Sequence, residues 1–321
     1  MLMLPWEDFW NERHVVVLGG AGFLGSHLVE LLEQLGARVL VVDALVPGSG
    51  GTVANLPASV DFLHANAGEV EHWLPFLQPE GVILHCAAFN THRWCNEHPE
   101  EDARWNYLPN CRIAQALQGF PQRLHLLYVS TRTVYAPTHR RWITEEHPTA
   151  PADVYSLHCL ASERLFALTV PSRHRLLCVR LPHLYGPRQA LHRLEPGFLG
   201  ELLRAALFDR PYTLYAHGMV RRDVLAVHDA AEALLRLLAS GAQGTFHVPG
   251  VYVSALELAR TLSKLTGWQQ YTLSELPAAS LPRLSGKRLQ RALNWLPRTP
   301  LEEGLARTVA ALRTAYSAPL P

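Results

Sequence analysis

The first half of the chain alternates between short unbroken apolar runs and longer segments whose apolar positions recur at helical spacing. Val15, Val16, Val17 and Leu18 form the first run, the pattern of a strand buried on both faces. A glycine turn follows. A helix is then expected over 26–35, closed by Gly36, and a second buried strand over 38–42. Together these make a βαβ unit. Further strands are expected at 60–63, 82–85, 124–129 and 176–180, with helices between them at 99–117 and 153–169. Alternation of this kind predicts a doubly wound parallel sheet.

Beyond Tyr185 the alternation loosens. Helices are expected at 198–207, 227–238 and 254–265, joined by Pro- and Arg-rich connections. The chain therefore reads as α/β, with one domain over 1–180 and a smaller C-terminal α/β substrate domain over 181–321. Some segments of the second are expected to return to the main sheet.

Composition narrows the function classes. At 48% hydrophobic over 321 residues, the chain can bury a large core. Its 29 Lys+Arg against 28 Asp+Glu leave no global field toward nucleic acid or a membrane surface, and neither is expected as a partner. Five cysteines with no Cys-x-x-Cys pair do not suggest a disulfide framework. No apolar stretch is long enough to span a bilayer, and the opening residues lack the pattern of a secretory signal, so a cytoplasmic protein is expected. His92, Cys95 and His98 are soft-metal residue types, but no fourth ligand accompanies them and no metal is expected. The chain has only two lysines, Lys264 and Lys287.

The turn after the first strand reads Gly19-x-x-Gly22-x-x-Gly25. This spacing gives a tight turn, close approach of backbone to a pyrophosphate, and close helix–strand packing, with the N–H groups around Phe23 and Leu24 facing the phosphates. Its context, strand before and helix after, is that of a Rossmann dinucleotide site. Asp43 ends the second strand, where a carboxylate accepts from the adenosine ribose hydroxyls and repels a 2′-phosphate. NAD is therefore the expected cofactor. The plainer alternative for Asp43 is a strand-end residue opening a turn.

With Gly19–Gly25 and Asp43, the segments His85-Cys86-Ala87-Ala88, Ser130-Thr131, Val134-Tyr135 and Tyr155 occur in one order, followed by Arg180–Arg188, Arg222-Asp223 and Val227-His228-Asp229. That series resembles the extended short-chain dehydrogenases/reductases, in their nucleotide-sugar epimerase and dehydratase branch, over nearly the whole chain. The resemblance implies a nucleotide-sugar substrate. It implies that Thr131 polarises the substrate oxygen and that Tyr155 is the acid/base beside the nicotinamide. It puts Asn66 and Ala87 against the cofactor, Ser130, His183 and Arg222 against the substrate, with Arg222 on the diphosphate, and Asn106 in support. It also implies a homodimer built on the 99–117 and 153–169 helices.

One position departs from the family in a chemical way. Where the family carries a lysine four residues after the tyrosine, this chain has Cys159. An ammonium stabilises phenolate; a thiol does not. Three readings stand. His158 takes over, three residues after Tyr155; Cys159 works as a thiol; or proton transfer has been abandoned and the fold binds NAD as a sensor or scaffold. Arg132-Thr133 also replaces the acidic pair that 4,6-dehydratases use, which disfavours that branch, and Ala65-Asn66 replaces a Gly-Asp near the adenine.

Overall fold

A computed structural model describes residues 6–138, 140–193 and 195–317. Its main sheet has seven strands, all parallel, in the spatial order Gly244–His247, Arg175–Leu181, Leu124–Thr131, Gly81–His85, His14–Leu18, Arg38–Asp43, Asp61–His64. The unbroken apolar run in His14–Leu18 now has its reason. Val15 and Val17 point into one layer, with Leu28 and Leu32 of the Phe23–Gln34 helix and Leu234 of the Val227–Ala239 helix. Val16 and Leu18 point into the other, with Ile113 and Leu117 of the Leu108–Gly119 helix and Phe166 of the Val154–Thr169 helix. Side chains alternate across a strand, so a strand covered on both faces must be apolar throughout.

Strand order reverses beside His14–Leu18. The chain runs out through Arg38–Asp43 and Asp61–His64, then crosses back to pair Gly81–His85 on the other side. The carboxyl ends of the two strands at that reversal open a crevice, where open α/β sheets bind ligands.

The later segments do return. Val227–Ala239 packs into the first layer, and Gly244–His247 extends the sheet beside Arg175–Leu181. On either side of them in sequence the chain builds a three-stranded sheet, Val251–Ser254, Arg221–Ala226 and His183–Tyr185, over which the Gly197–Leu207, Ala255–Thr266 and Leu301–Ala315 helices form a separate core. The expected 99–117 helix is two, Pro99–Asn106 and Leu108–Gly119, broken at Tyr107 (φ −124°). Pro109 explains the break: it lacks the N–H that a continuous helix would need there, and its ring would strike the carbonyl one turn back. No helix among the described residues is long and apolar enough to cross a membrane.

Candidate active site

The crevice is a cleft of about 450 Å³ whose lining joins the glycine turn, the ends of the Arg38–Asp43 and Gly81–His85 strands, Tyr155, and the 181–200 region of the second core. Backbone geometry fixes its dinucleotide wall. Gly19 has φ +76°, and a Cβ there would lie 2.5 Å from Ala87 N. At Gly25 a Cβ would fall 2.2 Å from Gly19 O. The Phe23–Gln34 helix starts at Gly22 with no side-chain cap and no acidic residue in its first turn. Its N–H groups and positive dipole end are therefore left for a phosphate.

Asp43 accepts hydrogen bonds from Ala21 N (3.0 Å) and Leu45 N (2.9 Å), so it steadies the glycine turn itself. Burial raises its pKa, opposed by those two N–H groups. Each carboxylate oxygen keeps a second lone-pair direction for a ribose hydroxyl. Asn66 also lines the cleft. Its Oδ1 accepts from Gly68 N at 2.8 Å, which turns its amide nitrogen free as a donor. These residues fit a dinucleotide with unesterified ribose hydroxyls.

The opposite wall carries Ser130, Thr131, Tyr155 and His183. Tyr155 stands in the first turn of a helix that Asp153 caps, the Asp153 carboxylate accepting from Ser156 N at 2.8 Å. Burial, and then the Cys159 thiol, holds the Tyr155 phenol well above its ordinary pKa. Cys159 is 3% exposed and is absent from the lining. Burial pushes its thiol up to about 12, and it serves as hydrogen-bonding partner to Tyr155 and Tyr128. It is a neutral thiol behind the tyrosine. His158 does not share the cleft. Its imidazole bonds the buried Asp102 carboxylate and stacks on Tyr107 at 5.7 Å, on the face packed against Pro99–Asn106. Arg222 lies just outside the lining, donating to Ala279 O (2.8 Å) and Arg221 O (3.0 Å) with Phe198 under its guanidinium. Ser130 Oγ is engaged by Glu163, itself in a buried pair with Arg180. Asn106 clasps Phe89 through both its N–H and its carbonyl, fixing the loop that borders the cleft.

The sequence did not single out what stands beside Tyr155. The His92 ring meets the Tyr155 ring edge to face at 5.0 Å, and His92 Nδ1 lies 3.2 Å from Asp153 Oδ1. Burial works against the Asp153 carboxylate, but hydrogen bonds from His92 and Ser156 outweigh it and lower its pKa. Hydroxyls lead from there back to the sheet: Ser156 Oγ is 3.0 Å from Asp153 Oδ2 and 2.6 Å from Thr133 Oγ1, which is 2.9 Å from Thr131 Oγ1. Arg193 reaches the same corner, donating to Asn90 Oδ1 at 2.5 Å, and its charge acts on Tyr155. One signal was present in the sequence. A capping Asp two residues before Tyr155 has to lie near it. His92, by contrast, counts in the sequence only with Cys95 and His98, and the structure separates those three: Cys95 turns to Phe89 O and His98 stacks on Trp94.

Residues 15–249 match the NAD dependent epimerase/dehydratase family. The chain belongs to that family, and NAD is its cofactor. It is similar to a UDP-glucose 4-epimerase of Mycolicibacterium smegmatis, 30% identical over 93% of this chain and 98% of that protein. A dTDP-glucose 4,6-dehydratase of an Actinoplanes species is 29% identical over 94% and 98% of the two. Among solved structures, the UDP-glucose 4-epimerase of Thermus thermophilus in complex with NAD superposes with a TM-score of 0.82 at 28% identity, covering 94% of this chain and 100% of that one.

Proposed function

We propose that the chain is an NAD-dependent nucleotide-sugar epimerase, or a closely related oxidoreductase, in which proton transfer takes an altered route. The observation that carries this reading is that Thr131 and Tyr155 line the same cleft as the glycine turn and Asp43. A sugar carbon held between them would meet the nicotinamide. The bound dinucleotide would supply hydride exchange; the chain supplies the proton. Tyr155, kept protonated by its burial, donates a hydrogen bond to the substrate oxygen. A proton leaving that oxygen passes through Thr131, Thr133 and Ser156 to Asp153 and His92, with Arg193 adding positive field in place of the family's lysine. His183 and Arg222 serve the substrate, and the names of the relatives support a nucleotide sugar in that role. A homodimer is supported by Leu157 and Leu168, 52% and 85% exposed on the Val154–Thr169 helix.

A second reading, an NAD-binding sensor or scaffold without turnover, is favoured by the neutral thiol at Cys159. One experiment separates them. Protein freshly purified and then denatured is analysed for released nucleotides by mass spectrometry, and the intact protein is assayed with UDP- and dTDP-glucose and their glucuronate forms across pH 6–9. Released NAD with conversion of any of these sugars supports the enzyme. NAD without any conversion or NADH formation supports the sensor, and failure to bind NAD at all rejects both.

A further inference from the structure

The substrate end of the cleft carries a guanidinium that the fold satisfies only in part. Arg132 directly follows Thr131, lines the cleft and is 5% exposed. Its Nη2 donates to Pro282 O at 2.6 Å, but Nη1 is buried with no hydrogen-bond partner. His183, on the same wall, also has a buried Nδ1 without a partner. Burial pushes its pKa down to about 3, helped by the charges of Arg132 and Arg222, so the ring is neutral. The carboxylate that acts most on Arg132 is Asp223, whose oxygens are turned to Gly250 N (2.8 Å) and Leu284 N (3.0 Å) and not to the guanidinium. The acidic side chains in the lining are Asp43, at the adenosine end, and Glu195, ion-paired with Arg93.

A buried guanidinium N–H with no acceptor is a strong, unmet demand. A neutral sugar would bury it further and answer it with hydroxyls. A carboxylate answers it with a charge-assisted hydrogen bond, and the neutral His183 ring adds a donor or acceptor beside it. Arg132 is also badly placed to serve the diphosphate alone, since it adjoins Thr131 at the reacting end.

We infer that the glycosyl unit of the substrate carries a carboxylate, as in a nucleotide-linked uronic acid, and that Arg132 with His183 forms its subsite. This rests on the nucleotide-sugar reading above.

Calorimetric titration of the NAD-loaded protein tests both statements separately. UDP and dTDP are titrated first, and the series continues on whichever binds, with its glucose and its glucuronate derivative. The expected result is that the glucuronate form binds about tenfold or more tighter than the glucose form. In Arg132→Met the difference disappears while the bare diphosphate keeps its affinity within about threefold; Arg132→Lys, which keeps the charge, retains part of the preference. Equal affinity for the two sugars in the unaltered protein overturns the inference, and so does an equal weakening of all three ligands in Arg132→Met, which would assign the arginine to the diphosphate. If neither diphosphate binds, the nucleotide-sugar reading itself falls. Should Arg132→Met fail to fold, as judged by lost NAD binding, the comparison in the unaltered protein still decides.

Discussion

The two walls of the cleft are built on different principles. The dinucleotide wall is made of backbone: a turn that only glycine can follow, an uncapped helix start, and one carboxylate that holds the turn. The opposite wall is made of side chains, and the altered proton route we propose lies there, with Cys159 behind Tyr155 and Arg132 after Thr131. Backbone geometry tolerates almost no substitution, because every change is a collision. A side-chain site can be rebuilt one group at a time, because a neighbouring group can take over a charge or a proton.

The sharpest way to break that contrast is to put a side chain into the backbone wall. Gly25→Val would set its Cβ 2.2 Å from Gly19 O and 2.7 Å from Gly20 Cα. Neither atom can move without opening the turn, so we expect NAD binding to be lost altogether, read by fluorescence titration, and turnover with it. NAD affinity within a few fold of the original would show that the turn is not the grip. The corresponding change across the cleft is smaller. Tyr155→Phe is expected to leave NAD affinity unaltered and to lower kcat by about a hundredfold or more, the usual worth of a positioned acid. An unchanged kcat would remove Tyr155 from the chemistry.

The same contrast governs what could be read from the sequence. The glycine turn was legible because its requirements are local: positive φ at Gly19, and no room for a Cβ at Gly19 or Gly25. The strand at His14–Leu18 was legible because burial on both faces leaves an unbroken apolar run. The three-stranded sheet was not, since its strands are short, come from distant parts of the chain, and mix Arg221 and Arg222 with Val224. His158 looked like the neighbour of Tyr155 because three residues along a helix is nearly one turn. Its partner is chosen instead by the adjacent Pro99–Asn106 helix, which brings Asp102 to it, while His92 arrives beside Tyr155 from a separate helix, His92–Glu97. Such pairings are tertiary and leave no mark at fixed spacing.

Acid acts on both walls. Burial lowers the pKa of His27, on the dinucleotide helix, to about 4 and that of His183 to about 3. A depressed folded-state pKa means that the unfolded chain takes up the proton first, near pH 6.5, so stability is complete above that value and falls as the pH drops toward 4. Each ring contributes up to about 1.4 kcal/mol per pH unit over this window. His183→Asn is therefore expected to flatten the fall in unfolding free energy between pH 6.5 and 4 by about that slope, measured by denaturant titration at several pH values. Because the ring lines the cleft, a carboxylated ligand should change its titration. An unaltered slope in the variant would mean that His183 is protonated in the folded protein.

The smallest effect probes the hydroxyl chain from Thr131 to His92. Asp153 has two tasks, capping the helix that carries Tyr155 and accepting from His92 and Ser156. Asn caps helices as well as Asp, so Asp153→Asn keeps the first task and removes only the charge. Stability should hold within about 0.5 kcal/mol, since the ion pair it loses is partly exposed. Turnover should fall about fivefold, the worth of about 1 kcal/mol for a hydrogen bond that loses its charge assistance, and the pH optimum should shift, because the proton acceptor at the end of the chain has changed. A cap without a chemical role predicts neither. If kcat and its pH profile match those of the unaltered enzyme, the hydroxyls are structural and the proton leaves by Tyr155 alone. The side-chain wall would then be rebuilt around a single residue.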